Sequence, residues 1–355
     1  MRVAIDISPL QTGHKVRGAG FYLDNLKKAL EKYFPNNEYT FFTRGDKLPG
    51  KVELVHFPYF EPFFLALPIY KKYKTVVTVH DLTPIVFKER FPRGIKGEIK
   101  WQMQRYALKK ANAIITDSQS SKKDIVKYVG VNASRVHVIY LAAGEDFQRF
   151  KTEDVRLKMV REKYKLPERF VLYVGDVTWN KNLPRLMEAV KTAGLPLVMV
   201  GKALASEDYD RNNPWNKDLN TVNQITEELT TKNKELVTKL GFVPTEDLAA
   251  IYNLATIFVM PSLYEGFGLP VLEAMASGCP VITTKEGSLG EVAGDAAFYV
   301  DAYKTENIAE GLEKVFEDEK LRKELSQKGL ERVKEFSWKK TAKDTLDVYQ
   351  KVLNQ

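Results

Sequence analysis

The sequence predicts an α/β protein built from two doubly wound domains, and three observations carry that prediction. Short apolar runs rich in β-branched residues alternate with helical patterns from end to end. The alternation pauses at Ala142-Ala-Gly144-Glu-Asp-Phe147 and then begins again. The length, 355 residues, suits two domains better than one.

In the first half the expected strands are Val3–Ile7, Tyr39–Thr43, Leu54–Phe57, Thr75–Val79, Ala113–Thr116 and Val136–Tyr140. Helical patterns lie near Gly20–Tyr33, Gly94–Lys110 and Ser120–Val129. Continuous rather than alternating apolar strands imply a parallel sheet covered on both faces. The second half gives strands at Phe170–Val174, Leu197–Val200, Leu236–Leu240, Ile257–Met260, Val281–Thr284 and Phe298–Val300. Its helices are expected near Leu183–Thr192, Thr245–Asn253, Pro270–Ser277, Thr305–Asp318 and Leu321–Glu335, with Thr245 as an N-cap after Pro244. Residues 203–235 are polar and read as a long loop plus a helix. The last segment, 338–353, is amphipathic, with Trp338, Leu346, Tyr349 and Val352 available for packing.

Apolar residues make up 44% and charged residues 28%, a balance that fits a globular enzyme and leaves no apolar run of membrane-spanning length. The N-terminus places Asp6 inside its apolar run, so it reads as a strand and not as a secretory signal. The single cysteine, Cys279, has no internal disulfide partner, which points to a reducing cytoplasm. Residues 1–150 hold 25 Lys and Arg against 14 Asp and Glu, a net of +11, whereas the remainder is net −3. The basic half suits an anionic membrane surface or a pyrophosphate-linked lipid. Nucleic acid is not expected, because no binding motif accompanies the charge.

The most informative segment is Pro261-Ser-Leu-Tyr-Glu265-Gly-Phe-Gly-Leu-Pro270-Val-Leu-Glu273-Ala-Met-Ala-Ser-Gly278-Cys-Pro280, between two apolar strands. Its Gly266-Phe267-Gly268 loop opens a helix that Pro270 can begin and that Gly278 and Pro280 stop. A glycine loop at a helix start offers free N–H groups and a positive dipole end to an anion. Glu265 and Glu273 cannot cancel phosphate charge and are suited to accept from hydroxyls. A pyrophosphate flanked by hydroxylated rings, as in a nucleotide sugar, satisfies both requirements.

Four other places are candidates. Arg17-Gly18-Ala19-Gly20 follows the first strand and opens a helix, so it can approach phosphates or an acceptor sugar. His80-Asp81 ends a strand, where an imidazole can meet a sugar hydroxyl and Asp81 can orient it or cap the turn. Thr116-Asp117-Ser118 ends another strand in the same way. Gly175-Asp-Val-Thr-Trp-Asn180-Lys181-Asn182 follows the first strand of the second half, where Lys181 can clamp phosphates. Asp208-Tyr209-Asp210 formally spells a metal-binding Asp-x-Asp, but it stands in a polar stretch and not after an apolar strand. No His, Cys or Asp cluster has metal-ligand spacing, so no metal and no cofactor are expected.

The run from Glu265 to Pro280, with two glutamates separated by seven residues, resembles the signature of retaining glycosyltransferases of family 4, which have the GT-B fold. The resemblance extends over nearly the whole chain and is densest in 171–183 and 236–295. It implies two Rossmann-like domains facing a cleft: residues 1–147 on the acceptor side, completed by the returning helix 338–355, and residues 148–337 for the nucleotide sugar. It implies that Glu265 binds donor hexose hydroxyls and Glu273 the ribose. Phe267, Gly268 and Leu269 would offer amides to phosphate and sugar, with Gly266 also in the donor site, Lys181 would stabilise the leaving diphosphate, and His80 would position the sugar. Gly18, Gly20 and Asn180 would line the donor site. Phe242 and Val243, in Gly241-Phe-Val-Pro244, would hold the base, and Arg17, Asp81 and Ser118 would face the acceptor. The chain departs from the pattern where many members carry Arg, at Asp176 or Asn180, and Lys202 is the candidate replacement.

Ile5-Asp6-Ile-Ser-Pro9-Leu and Val79-His80-Asp81-Leu-Thr-Pro84 are most similar to the mannosyltransferase-like branch that builds surface polysaccharides. That implies GDP-mannose as donor, a glycan or lipid-linked acceptor, and a cytoplasmic place at the inner face of the membrane. A UDP-hexose donor, a nucleotide-sugar epimerase or sugar phosphorylase, and a non-catalytic binding protein are the alternatives.

Overall fold

In a computed structural model, residues 1–12, 18–48, 50–205, 209–231 and 236–355 are described. By its contacts the chain divides into two units, residues 1–142 with 336–355, and residues 143–335.

The first unit holds a six-stranded sheet of β1 (Arg2–Asp6), β2 (Glu38–Phe42), β3 (Leu54–Phe57), β4 (Lys74–Thr78), β5 (Ala113–Thr116) and β6 (Val136–Val138). Every pairing is parallel and the order is β2-β1-β3-β4-β5-β6. Around it lie α1 (Gly18–Tyr33), α2 (Thr83–Val86), α3 (Gly94–Lys109) and α4 (Gln119–Asp124), the last continued by a π-helical turn over Ile125–Val129. β3 and β5 are buried at every position, as strands of a parallel sheet covered on both faces are, and the buried polar side chains among them are His56 and Thr116.

The second unit repeats the scheme with β7 (Val171–Val174), β8 (Leu197–Val200), β9 (Val237–Lys239), β10 (Ile257–Met260), β11 (Val281–Thr283) and β12 (Ala297–Tyr299). These are also parallel, in the order β12-β11-β10-β7-β8-β9. Its helices are α5 (Val155–Tyr164), α6 (Leu183–Ala193), α7 (Lys217–Thr231), α8 (Thr245–Leu254), α9 (Leu269–Ala276), α10 (Leu289–Ala293), α11 (Thr305–Glu317) and α12 (Glu319–Arg332). The order reverses between β7 and β10, so their carboxyl ends flank a crevice of the kind where doubly wound sheets take ligands.

The terminal helix α13 (Trp338–Leu353) belongs to the first unit, where it packs on α1 and buries Trp338, Leu346, Tyr349 and Val352. Lys74 closes its C-terminal end by donating to the carbonyls of Val352 and Leu353 at 2.9 and 3.0 Å.

Two local expectations need correction. Pro244, not Thr245, occupies the N-cap of α8, and no side chain caps that helix. Acidic Glu246 and Asp247 in its first turn offset the dipole instead. Val155–Tyr164 is a helix that the sequence pattern did not signal, because Val160 is its only buried residue and its apolar stripe is almost empty. Within 203–235, the loop-plus-helix reading corresponds to short 3₁₀ turns followed by α7, which buries Leu219, Val222, Ile225 and Leu229 in the core.

Candidate functional site

In the second unit, Gly175 to Asn182 leave β7 and residues 261–268 leave β10, the two strands at the reversal point. The two loops are locked together. Asn180 donates to the Tyr264 carbonyl at 3.0 Å, and its own carbonyl accepts the Leu263 N–H at 2.7 Å. Asn182 donates to the carbonyls of Pro261 and Ala302 at 3.0 and 2.7 Å, from a left-handed backbone position that asparagine tolerates. Asn180 thus serves the frame of the site through its side chain. The locking brings Lys181 onto Glu265, with Nζ 2.8 and 2.9 Å from the two carboxylate oxygens. Ser262 donates to the same carboxylate at 2.7 Å. The Lys181 and Glu265 side chains are 18% and 9% exposed, so a charge pair sits at the mouth of a buried loop.

All residues from Pro261 to Gly268 are buried. A buried loop must satisfy its carbonyls, and Ser288 does this by donating to the carbonyls of Glu265 and Phe267 at 3.0 and 2.8 Å. Gly287 has φ +61, and a Cβ there would lie 2.6 Å from the Glu265 carbonyl oxygen, so the loop rests on a bare backbone. Gly268 caps α9 at φ +101 without a side-chain cap, Pro270 stands in the first turn, and the Val271 N–H bonds the Gly268 carbonyl at 3.0 Å. That end therefore presents partial positive charge beside the Lys181–Glu265 pair.

Glu273 lies one turn inside α9, buried. Burial lifts its carboxyl to about 7, although Tyr252 donates to Oε2 at 3.0 Å and pulls the other way. Phe242 is exposed on the loop after β9, Val243 is buried beside it, and Lys202 is exposed after β8.

The first unit carries its own constellation. His80 follows β4 and Asp117 follows β5, with Nδ1 and Oδ2 2.6 Å apart. Burial disfavours the imidazolium, but the Asp117 carboxylate more than offsets this and raises the His80 pKa. The Tyr22 ring packs edge-on to His80 at 4.8 Å, and its hydroxyl meets Thr78 at 3.1 Å. Behind them Tyr349 of α13, His56 and Thr78 form a buried hydrogen-bonded chain with contacts of 2.6 and 2.8 Å. Burial lowers His56 to about 3, so it is neutral.

Of the two roles open to Asp81, the structure shows the cap, since its Oδ1 accepts the Thr83 N–H at 2.8 Å. Ser118 is buried as the N-cap of α4 and accepts the Ser121 N–H at 3.0 Å. Gly18 and Gly20 form the first turn of α1, while Arg17 lies outside the described residues, as does Asp208. Asp210 spends a carboxylate oxygen on the Asn212 N–H at 2.9 Å. Among the described residues, no group of three or more His, Cys, Asp or Glu is placed to hold a metal ion.

Pattern reading missed Tyr252, Ser262, Gly287, Ser288 and the role of Asp117. Only Asp117 carried a signal, being at a strand end like His80. Ser262 lies three residues from Glu265 in the same loop but matches no spacing tied to a role, and Tyr252, Gly287 and Ser288 act across the fold with no local spacing to betray them.

A model of the family "Glycosyl transferases group 1" matches residues 156–332, and one of "Glycosyltransferase Family 4" matches residues 44–143. The serotype-specific mannosyltransferase WbdA of Escherichia coli is 31% identical over 79% of this chain, which spans about a third (34%) of that relative's length. The O-antigen chain mannosyltransferase B of Escherichia coli is 29% identical over 78% of this chain and 70% of its own. Among solved structures, a sucrose-phosphate synthase from Thermosynechococcus elongatus has a TM-score of 0.77 at 20% identity, covering 100% of this chain and 99% of its own. Anabaena HepE, solved with UDP and glucose, has a TM-score of 0.74 at 16% identity, covering 99% and 100%. With an α/β two-domain GT-B architecture and both family models matched, the chain belongs to the family 4 glycosyltransferases.

Proposed function

We propose that the chain is a retaining glycosyltransferase that moves a hexose, with mannose from GDP-mannose as first choice, to a glycan or lipid-linked acceptor in surface polysaccharide synthesis. The observation that carries this reading is the Lys181–Glu265 pair at the open N-terminus of α9, on the crevice between β7 and β10. The two Escherichia coli mannosyltransferases support mannose as the sugar.

On this reading Lys181 exchanges Glu265 for the donor diphosphate. Glu265 is then released to accept from hexose hydroxyls, and the α9 amides meet the phosphates. Glu273 accepts from the ribose diol. The acceptor oxygen forms its bond to the anomeric carbon as the bond to diphosphate breaks. A diphosphate oxygen takes the acceptor proton on the same face, and Lys181 stabilises the developing charge. His80, held by Asp117, positions the sugar. The lone thiol of Cys279 and the basic 1–150 segment support a cytoplasmic place at the inner membrane face.

The test is product analysis with GDP-mannose and UDP-glucose on wild type and Glu265→Gln. An α-linked mannoside formed only by wild type from GDP-mannose is expected. Equal turnover by Glu265→Gln would sink the assigned role, and exclusive use of UDP-glucose would replace the donor.

A further inference from the structure

We infer that the first unit docks on an anionic lipid bilayer through one surface, made by the outward stripe of α3 and the adjoining loop 64–70. Among the described residues thirteen large apolar side chains are exposed, and eight of them fall between 64 and 106. Ile95, Ile99, Met103 and Tyr106 are four of these, with Ile95 82% exposed. At about 100° per residue they lie within a stripe of roughly 80°. The opposite face of α3 is the packed one, through Gly97, Trp101, Gln104 and Leu108. A helix apolar on its covered and uncovered faces alike is an anomaly for a surface helix.

The loop supplies Phe64, Leu65, Ile69 and Tyr70, the last also 82% exposed. Gln104 joins the two segments. Fully buried, it accepts the N–H groups of Ala66 and Leu67, both at 2.9 Å, and donates to the Leu67 carbonyl at 3.3 Å. Lys100 of α3 lies 5.6 Å above the Phe64 ring, so the loop and the helix stripe adjoin.

Charge selects the occupant. Residues 64–110 hold eleven Lys and Arg against three Asp and Glu, while the rest of the chain has 43 of each, so this segment accounts for the whole net charge of +8. Exposed Lys96, Lys100 and Lys110 flank the stripe, and Lys110 lies 5.4 Å over the Tyr106 ring. Aliphatic and aromatic side chains rimmed by lysine suit the boundary between acyl chains and anionic headgroups. A protein interface would be depleted in lysine. No helix among the described residues is long and apolar enough to cross a membrane, so the contact lies on the surface. The docking stands on these residues; only its use, access to a lipid-linked acceptor, rests on the function proposed above.

The full chain is sedimented with vesicles of phosphatidylcholine alone, or with one third phosphatidylglycerol, at about 50 and about 300 mM salt. Wild type is expected to bind the anionic vesicles at low salt and to be released partly by high salt. Ile95→Ser/Ile99→Ser should lower binding about tenfold or more at both salts, whereas Lys96→Gln/Lys100→Gln should lose mainly the low-salt part. Melting temperature and nucleotide-induced shift serve as fold controls. Absence of low-salt binding by wild type, or unchanged binding by the isoleucine variant, overturns the proposal. So does a wild-type dimer, with no vesicle binding, that the isoleucine variant splits. Vesicle binding without sugar transfer to a water-soluble acceptor would count against the proposed function and leave the docking surface standing.

Discussion

Glu265 and Lys181 neutralise one another, so removing either has two consequences that can be separated. Lys181→Ala leaves a buried carboxylate without its cation. It should cost about 2–4 kcal/mol of stability by chemical denaturation and abolish the nucleotide-induced melting shift. Glu265→Gln removes charge but keeps shape. Turnover should fall about 100-fold or more with the nucleotide shift retained, because the loss is confined to hydroxyl recognition. Glu273 yields a pH prediction. Its carboxyl sits near 7 in the fold against an ordinary 4.5, so the folded chain binds the extra proton between those values. Stability therefore falls as pH rises from about 4.5 to about 7, and in chemical denaturation Glu273→Gln should gain more stability at pH 8 than at pH 5, the difference being at most about 3 kcal/mol. Binding of a ribose diol favours the carboxylate, so nucleotide affinity in wild type should rise with pH up to about 7 and then level, a dependence that calorimetry on Glu273→Gln should no longer show. His80 behaves in the opposite sense. Its raised pKa adds stability below the ordinary histidine value that is lost as pH rises through the raised one, and Asp117→Asn should lower the His80 titration midpoint seen by NMR.

At the scale of elements, the glycine loop before α9 was legible because its chemistry is written locally. Gly266, Gly268 and Pro270 stand together to turn a buried strand into a short helix whose N-cap carries no side chain. What holds that loop was not legible. Gly287 comes from the turn after β11, and nothing in its neighbours says that its Cα faces the Glu265 backbone. Gly287→Ala meets a backbone clash as well as an unfavourable φ, and should destabilise by about 2 kcal/mol or more while lowering activity through Glu265. A purely structural glycine would lower the melting point and leave the turnover of the folded fraction unchanged. The same contrast holds for α5, invisible because it buries almost nothing, and for α3, legible as a helix near Gly94–Lys110 while the exposed apolar stripe opposite its packed face was not.

At the scale of the whole molecule, both sheets followed from the pattern because the inner strands are short, largely apolar and buried on both faces, and parallel order then needs helical crossovers between them. The first whole-molecule measurement is a melting series with GDP, UDP, ADP and dTDP at about millimolar concentration. A ligand at roughly 100 times its dissociation constant adds about 2.7 kcal/mol, so a selective GDP shift is expected, and a selective UDP shift would discard mannose as first choice. Sequence by itself determined the twelve strands, the glycine loop with its two glutamates, and the uneven charge, because each depends on residues adjacent in the chain. Tertiary structure decided that Lys181 faces Glu265, that Asp117 and not Asp81 holds His80, and that Tyr252 meets Glu273. Each of these pairs joins side chains from two different elements: the strand-end loops of neighbouring parallel strands for the first two, helices α8 and α9 for the third. Sequence separation says nothing about which such side chains will meet.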